Sequence, residues 1–276
     1  MGGKRLLTLA ATPIGNLDDC STRLRLQLAS ADLVYAEDTR HARKLLSHLA
    51  ITKRLRSFHD HSPPSVLQQI GGFLEAGKHI LYISDAGTPV LNDPGYELVQ
   101  LAIRLNVEVD HLPGPCAAIN ALVLSGLPAD AFCFLGFFPS KPSKKEALLQ
   151  QLPQLNMTAI FFESPQRIRH TLSFLEERLG KVPMALCREL TKRHQQILRG
   201  TAKEINSALK VEKGEMVLVI GKADQVGHSL TLEEREVQLR ESGMKPNQIA
   251  KALAGEFRIP KREIYARLTQ NRDGHS

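Results

Sequence analysis

The chain has 276 residues, 42% of them hydrophobic and 24% charged, with a formal net charge of +7; this is long enough for two domains with separate cores. No stretch approaches the roughly 20 apolar residues of a membrane helix, and Met1-Gly2-Gly3-Lys4-Arg5 leads into a strand pattern without a signal-peptide core, so a cytoplasmic protein is expected. Cys20, Cys116, Cys133 and Cys187 lie far apart with no CxxC pair, which argues against a zinc site or a disulfide framework, while the basic balance makes a polyanionic partner plausible.

Leu6–Ala11 reads as a first strand, ending in Thr12-Pro13-Ile14-Gly15-Asn16-Leu17-Asp18-Asp19, with Asp19 or Ser21 placed to cap a helix over Thr22–Ala29. Leu33–Ala36 is a second short strand, after which Glu37-Asp38-Thr39 opens a helix rich in cations. From Arg40 to Arg56 there are six basic residues and no acidic one. A strand near Leu55–Phe58 gives way to His59-Asp60-His61-Ser62-Pro63-Pro64 and a helix over Ser65–Ala76. The apolar Ile80–Ile83 then runs into Ser84-Asp85-Ala86-Gly87-Thr88-Pro89, a loop of small residues that brings bare backbone close to a ligand. The turn Asn92-Asp93-Pro94-Gly95 starts a helix with Leu98, Val99, Ala102 and Ile103 on its apolar side, and Val107-Glu108-Val109 follows. This rhythm predicts a mainly parallel sheet with helices on both faces and a small-molecule site at the C-terminal edge.

Leu112-Pro113-Gly114-Pro115-Cys116-Ala117-Ala118 marks a boundary between an N-terminal α/β domain, residues 1–112, and a second, residues 113–226. Ile119–Leu124 suits a buried helix. Strands are predicted at Phe132–Phe138, Met157–Phe162, Met184–Cys187, Gln195–Arg199 and Met216–Ile220, with helices at Lys144–Gln151, Pro165–Arg178 and Ala202–Leu209. More antiparallel pairing is expected here, because strands such as the last two have short connections. Ala223–Ser229 reads as a linker to a C-terminal helical segment, residues 227–276, with helices at Leu232–Glu241, Asn247–Ala254 and Lys261–Leu268 separated by Gly243 and Arg258-Ile259-Pro260. These helices suit either a helix-turn-helix-like contact with nucleic acid or a packing element.

Neither GxGxxG, P-loop, HExxH nor GxSxG is present, and His59-Asp60-His61 lacks the i, i+4 spacing that gathers two imidazoles on a metal, so no metal site is predicted. What remains is a set of strings in fixed order: Ala11-Thr12-Pro13-Ile14-Gly15-Asn16-Leu17-Asp18-Asp19, Ala36-Glu37-Asp38-Thr39-Arg40, Ser84–Pro89 with Asp93-Pro94-Gly95-Tyr96, Leu112-Pro113-Gly114-Pro115, Phe162-Glu163-Ser164-Pro165 and Arg188-Glu189-Leu190-Thr191-Lys192. Together they resemble the ribosomal RNA small subunit methyltransferase I family, of the tetrapyrrole-methylase fold. The resemblance runs from about Leu6 to Ile220. His59-Asp60-His61 and Cys116 depart from the family's His-Asn-Glu and Ser.

The resemblance implies two α/β domains, S-adenosylmethionine in the cleft between them, a homodimer, and methylation of a cytidine ribose 2′-hydroxyl in 16S rRNA. Carried onto this sequence, cofactor contacts fall on Pro13, on Ser84, Asp85, Ala86, Gly87, Thr88 and Pro89, on Cys116 and Ala117, and on Phe162 and Ala185 for the adenine. A ribose hydroxyl attacks well only as its proton leaves, so Asp38 and Glu163, each at a strand end, are the first candidates for a base, with Asn16, Asp93 and Arg40 orienting the substrate. Asp38 is equally placed to cap the helix at Thr39, and Glu163 to pair with Arg167 one turn on. RNA phosphates are expected on Arg40, Arg43 and Lys44, on Lys141, Lys144 and Lys145, and on Arg188 and Lys192. A tetrapyrrole methyltransferase of the same fold, and a non-catalytic RNA-binding or assembly protein, are the competing readings.

Overall fold

The computed structural model of the protein describes residues 5–222, 232–241, 244–257 and 259–270. The predicted linker Ala223–Ser229, the separators Gly243 and Arg258, and Met1–Lys4 lie outside the described residues. The chain divides into two compact units, Met1–Asp224 and Gln225–Ser276.

The first unit carries two sheets. Strands β1 (Leu6–Ala10), β2 (Leu33–Ala36), β3 (Leu55–Ser57), β4 (His79–Ile83) and β5 (Glu108–Leu112) pair in the order β3-β2-β4-β1-β5, parallel throughout. Side chains alternate between its faces, as strand geometry requires. Leu81 and Ile83 pack with Leu24 and Leu28 of α1 (Thr22–Ser30) and Leu45 and Leu46 of α2 (Thr39–His48). Ile80 and Tyr82 pack with Ile70 and Leu74 of α3 (Pro64–Glu75) and Leu98 and Ala102 of α4 (Gly95–Arg104). Ser21 caps α1, its hydroxyl accepting the Leu24 N–H at 3.0 Å. From β1 the chain crosses to one side and from β4 to the other, so the order reverses between these two neighbours, where α/β sheets hold their ligands.

The second sheet comprises β6 (Phe132–Phe137), β7 (Thr158–Glu163), β8 (Met184–Arg188), β9 (Gln196–Gly200) and β10 (Met216–Ile220), in the order β6-β7-β10-β8-β9. Only β6 and β7 run parallel; every other pair is antiparallel. The expected pairing of the last two strands is corrected here. The short connection of residues 189–195 joins β8 to β9, whereas β10 arrives after helix α8 (Ala202–Ala208) and inserts between β7 and β8. Its all-apolar Met-Val-Leu-Val-Ile sequence suits that central place, buried on both faces. One face is covered by Ala118, Ala121 and Leu122 of α5 (Ala117–Ser125). The other is covered by α6 (Pro142–Leu155), α7 (Ile168–Leu179) and α8. Helix α7 starts at Ile168 rather than Pro165, because Ser164–Arg167 form a turn in which the N–H groups of Arg167 and Ile168 donate to the Ser164 carbonyl.

The second unit holds α9 (Leu232–Glu241), α10 (Pro246–Phe257) and α11 (Lys261–Gln270), around a small core that includes Ile249, Leu253, Ile264 and Leu268.

Leu218 lies in the middle of β10 with no exposed surface. Leu218→Ala is expected to lower the unfolding free energy of the first unit by about 2–5 kcal/mol in urea titration, the usual cost of truncating a buried leucine.

Candidate active site

Parallel pairing sends the ends of β1, β2, β4 and β5 to a single edge. The β1 and β4 loops are joined there by a two-residue bridge: Thr12 N–H donates to Gly87 O at 3.0 Å and Gly87 N–H to Thr12 O at 3.1 Å. Gly87 has φ +80°, and a Cβ on it would lie 3.1 Å from the Ile14 methyl; glycine alone meets both conditions without strain. The Thr88 hydroxyl donates to Pro115 O at 3.0 Å, tying the β5 turn to the same group.

The second half joins through Gly15. A Cβ there would fall 2.5 Å from Lys192 Cγ and 2.9 Å from Leu190 O, and the next residue, Asn16, donates its N–H to the Thr191 hydroxyl at 3.1 Å. Glycine- and proline-bent turns of both sheets therefore meet. They enclose a cavity of about 390 Å³ lined by Ile14, Ala86 and Ala117 on one side and by Phe137, Phe162, Glu163, Ser164, Pro165 and Gly214–Val217 on the other. Its walls are backbone, small side chains and aromatic rings, Phe137 and Phe162 meeting edge to face at 5.7 Å. A second recess of about 130 Å³ lies beside α2 between Pro13, His41, Lys44 and Asp85. An open groove of about 560 Å³ runs past Asp19, Gly114, Cys116 and Thr191.

A family model described as tetrapyrrole (corrin/porphyrin) methylases matches residues 6–206. The protein named ribosomal RNA small subunit methyltransferase I from Synechocystis sp. is 41% identical, over 94% of this chain and 96% of its own. Its namesake from Halalkalibacterium halodurans is 38% identical, over 95% and 94%. The chain belongs to the ribosomal RNA small subunit methyltransferase I family. Membership brings S-adenosylmethionine-dependent methyl transfer, as the motif resemblance implied. Among solved structures, a diphthine synthase aligns with TM-score 0.63 at 14% identity, covering 79% of this chain and 90% of that one. The uroporphyrin-III-C-methyltransferase from Thermus thermophilus aligns with TM-score 0.55 at 17% identity, covering 80% and 96%. These two likenesses speak to the fold alone.

Within this methyltransferase the residues named for the cofactor separate into groups. Ala86, Ala117 and Phe162 line the cleft. Pro13, Ser84 and Asp85 line the recess beside α2, and Cys116 borders the open groove. Gly87, Thr88 and the buried Pro89 shape the loop. Ala185 is a correction: it is wholly buried beneath α5 and has no surface to offer a ligand.

The carboxylates named for catalysis are engaged elsewhere. Asp38 caps α2, accepting the Arg40 N–H at 2.7 Å, and it also binds the Arg40 guanidinium. Those hydrogen bonds hold its carboxyl far below the usual range, which makes it a poor base. Glu163 has no exposed side-chain surface: Oε1 accepts from Arg167 and the Ser164 N–H, both at 2.7 Å, and Oε2 from the Thr171 hydroxyl at 2.6 Å. Asp93 spends both oxygens on the turn it sits in, accepting from Val90 N–H at 2.9 Å and Gly95 N–H at 2.7 Å. The Asn16 side chain accepts from Asp18 N–H at 3.1 Å.

The cations divide as well. Arg43, Lys44, Lys141 and Lys144 are exposed and have no side-chain partner among the described residues. Lys145 is a correction, since it is 5% exposed with its ammonium 5.1 Å from the Phe174 ring, inside the protein. Arg188 and Lys192 are engaged by the β8–β9 connection and by the segment that leads into β10. Arg188 donates to Gln196 and to the carbonyls of His194 and Lys213, and Lys192 pairs with Glu189 at 2.9 Å and Glu215 at 3.1 Å. Partial burial opposes the charge on Lys192, but those two carboxylates outweigh it and raise its pKa.

Sequence reasoning quoted Ile14, Ser164 and Pro165 only within motif strings, without naming them for the site, and missed Phe137 and the segment Gly214–Val217. Gly214 has φ +87° two residues before an all-apolar strand; a glycine beside an apolar run is the signal available there, on the opposite end of the strand from Gly87.

Removing the guanidinium would strand a sealed carboxylate. Arg167→Ala is therefore expected to cost about 3 kcal/mol of stability in denaturant titration, and Glu163→Gln in the same background to restore part of it.

Proposed function

We propose that the protein transfers the methyl group of S-adenosylmethionine to the 2′-hydroxyl of a cytidine in 16S rRNA of the small ribosomal subunit, acting as a cytoplasmic homodimer. The observation that carries the reading is the cleft itself, built by turns of both sheets in a chain whose relatives at 38–41% identity bear the name ribosomal RNA small subunit methyltransferase I. No helix among the described residues is long and apolar enough to cross a membrane.

The residues present fit the cofactor. The cavity, about 390 Å³, lies within the roughly 300–1,000 Å³ of small-molecule sites, and it offers the apolar and aromatic walls that adenine needs. Ala86 and Ala117 leave backbone groups accessible on one side, and Phe162 and Pro165 supply flat apolar contact on the other. When bound, S-adenosylmethionine supplies a methyl group already activated by its sulfonium. What falls to the protein is to hold the ribose oxygen in line with that methyl at about 3–3.5 Å and to exclude water. Arg43 and Lys44 stand at one margin of the site's edge of the sheet, and Lys141 and Lys144 open α6; as exposed, unengaged cations they suit RNA phosphates.

Labelled methyl from S-adenosylmethionine is expected to appear on one cytidine 2′-oxygen of small subunits, located by nuclease mapping; label on a small molecule alone would overturn the reading. Ala86→Leu intrudes on the cleft and is expected to weaken cofactor binding about 5- to 150-fold by calorimetry, the range that 1–3 kcal/mol of overpacking gives. Charge-neutral Gln at Arg43, Lys44, Lys141 or Lys144 is expected to weaken RNA binding and to reduce its salt slope by about 1 for each phosphate that is no longer neutralised, while leaving cofactor affinity unchanged.

A further inference from the structure

We propose that Glu37 is the general base that takes the proton of the ribose 2′-hydroxyl; this rests on reading the protein as a 2′-O-methyltransferase. Glu37 is the first residue after β2, and its backbone is held on both sides. Its N–H donates to Ile83 O at 3.2 Å, and its carbonyl accepts from the Ser57 hydroxyl at 3.3 Å. Its Oε2 accepts the N–H of Asp85 at 3.2 Å; Asp85 lines the recess beside α2, and the next residue, Ala86, lines the cleft. Its Oε1 has no partner among the described residues, and the side chain is half-buried.

Among the described residues no cation neutralises it. Arg40 is bound to Asp38. Arg56, on the adjoining strand, turns to Tyr35 and Gln69 and lies over the Phe73 ring. His41 Nδ1 is 3.4 Å from Asp85 Oδ2. The groups that face Glu37 are instead Asp85 from the β4 loop, Asp93 from the turn before α4, and Asp60 from the loop after β3. The Tyr82 hydroxyl feels the same carboxylates and is buried with no hydrogen-bond partner among the described residues. Burial first, and then the three neighbouring carboxylates, push the Glu37 pKa above the usual range against the opposing Asp85 N–H. A carboxylate that ionises reluctantly holds a proton more firmly, which suits it to abstraction near neutral pH. Asp93 shares the upward shift through burial, but both its oxygens already accept backbone N–H groups.

In the step, the 2′-hydroxyl proton passes to Glu37 Oε1 as the oxygen bonds to the methyl carbon. The bond that breaks is carbon–sulfur; its electron pair stays on sulfur, leaving the neutral thioether S-adenosylhomocysteine and a 2′-O-methyl ribose.

Glu37→Gln keeps an oxygen for the Asp85 N–H, so the fold is retained. Cofactor affinity by calorimetry is expected to change less than about 3-fold, while kcat on small subunits falls about 10²- to 10⁴-fold. The acid limb of the wild-type pH profile is expected to vanish. Independently of turnover, carboxyl ¹³C NMR of the wild type without cofactor is expected to give Glu37 a midpoint above the ordinary value of about 4.3. Because the folded-state pKa is raised, Glu37 favours folding at low pH and that contribution is lost as pH rises through the folded value. The variant's Tm should therefore exceed that of the wild type above this pKa, and the gain should disappear in acid. A variant that turns over within 3-fold of the wild type, a surviving acid limb, or a midpoint at or below 4.3 would overturn the assignment of Glu37 alone. A wild type that labels no rRNA would overturn it together with the reading on which it rests.

Discussion

Between the two sheets the chain has no room for a side chain at Gly15. The β1 turn and residues Leu190–Lys192 approach until a single added carbon would overlap the lysine stem and a carbonyl. That approach fixes where the second sheet stands against the ends of β1 and β4, and the cleft is the space left on either side of it. The Thr12–Gly87 bridge performs the complementary task within the first sheet, closing the reversal point of a parallel sheet into one surface. Glycine at these places is a steric requirement on both sides of the contact, so the geometry of the cavity is set by backbone rather than by adaptable side chains.

The electrostatics of this edge follow from which carboxylates have found partners. Net charge is +7, yet the ends of the parallel strands gather Glu37, Asp38, Asp60, Asp85 and Asp93. Asp38 and Glu163 are matched with arginines, and Asp93 with backbone donors. Each such match either lowers basicity or uses the lone pairs a substrate would need. Asp85 shares its charge with His41 and with the Asp38 N–H, donated at 2.8 Å. Glu37 is left with one oxygen that has no partner among the described residues, in a field of like charge.

Much of this was legible in the sequence. The alternation of strand and helix, the parallel sheet and the Ser84–Pro89 loop follow from local patterns, apolar runs stopped by glycine and proline, whereas the cleft between the two halves was implied by the family resemblance. Registers and partners did not follow. Nothing local tells β10 to enter between β7 and β8, because its apolar sequence states only that both faces are buried. Lys145 belongs to a basic run in sequence, but α6 turns it inward over two aromatic rings while Lys141 and Lys144 stay in water; helical phase, not composition, decides which cations are available. The pairing of Glu163 with Arg167 was visible as an i, i+4 spacing. Its complete burial was not, since that depends on Thr171 and on the cover of α7.

The same limit explains why Asp38 draws attention before Glu37 when only the strings are read. The two are adjacent, and strand geometry sends neighbours to opposite faces. Tyr35 lies beside Tyr82 on the face covered by α3 and α4, and Ala36 faces α1 and α2. Glu37, just past the end of β2, meets the charges of Asp85, Asp93 and Asp60, the last two on segments that lead into α4 and α3. Asp38 stands at the start of α2, where four unpaired N–H groups await a cap. A helix start rewards the carboxylate on its own face with hydrogen bonds and an arginine, and thereby lowers its basicity. The other has one backbone N–H, from Asp85, and among the described residues no arginine, so the two successive acidic residues beyond β2 differ in basicity.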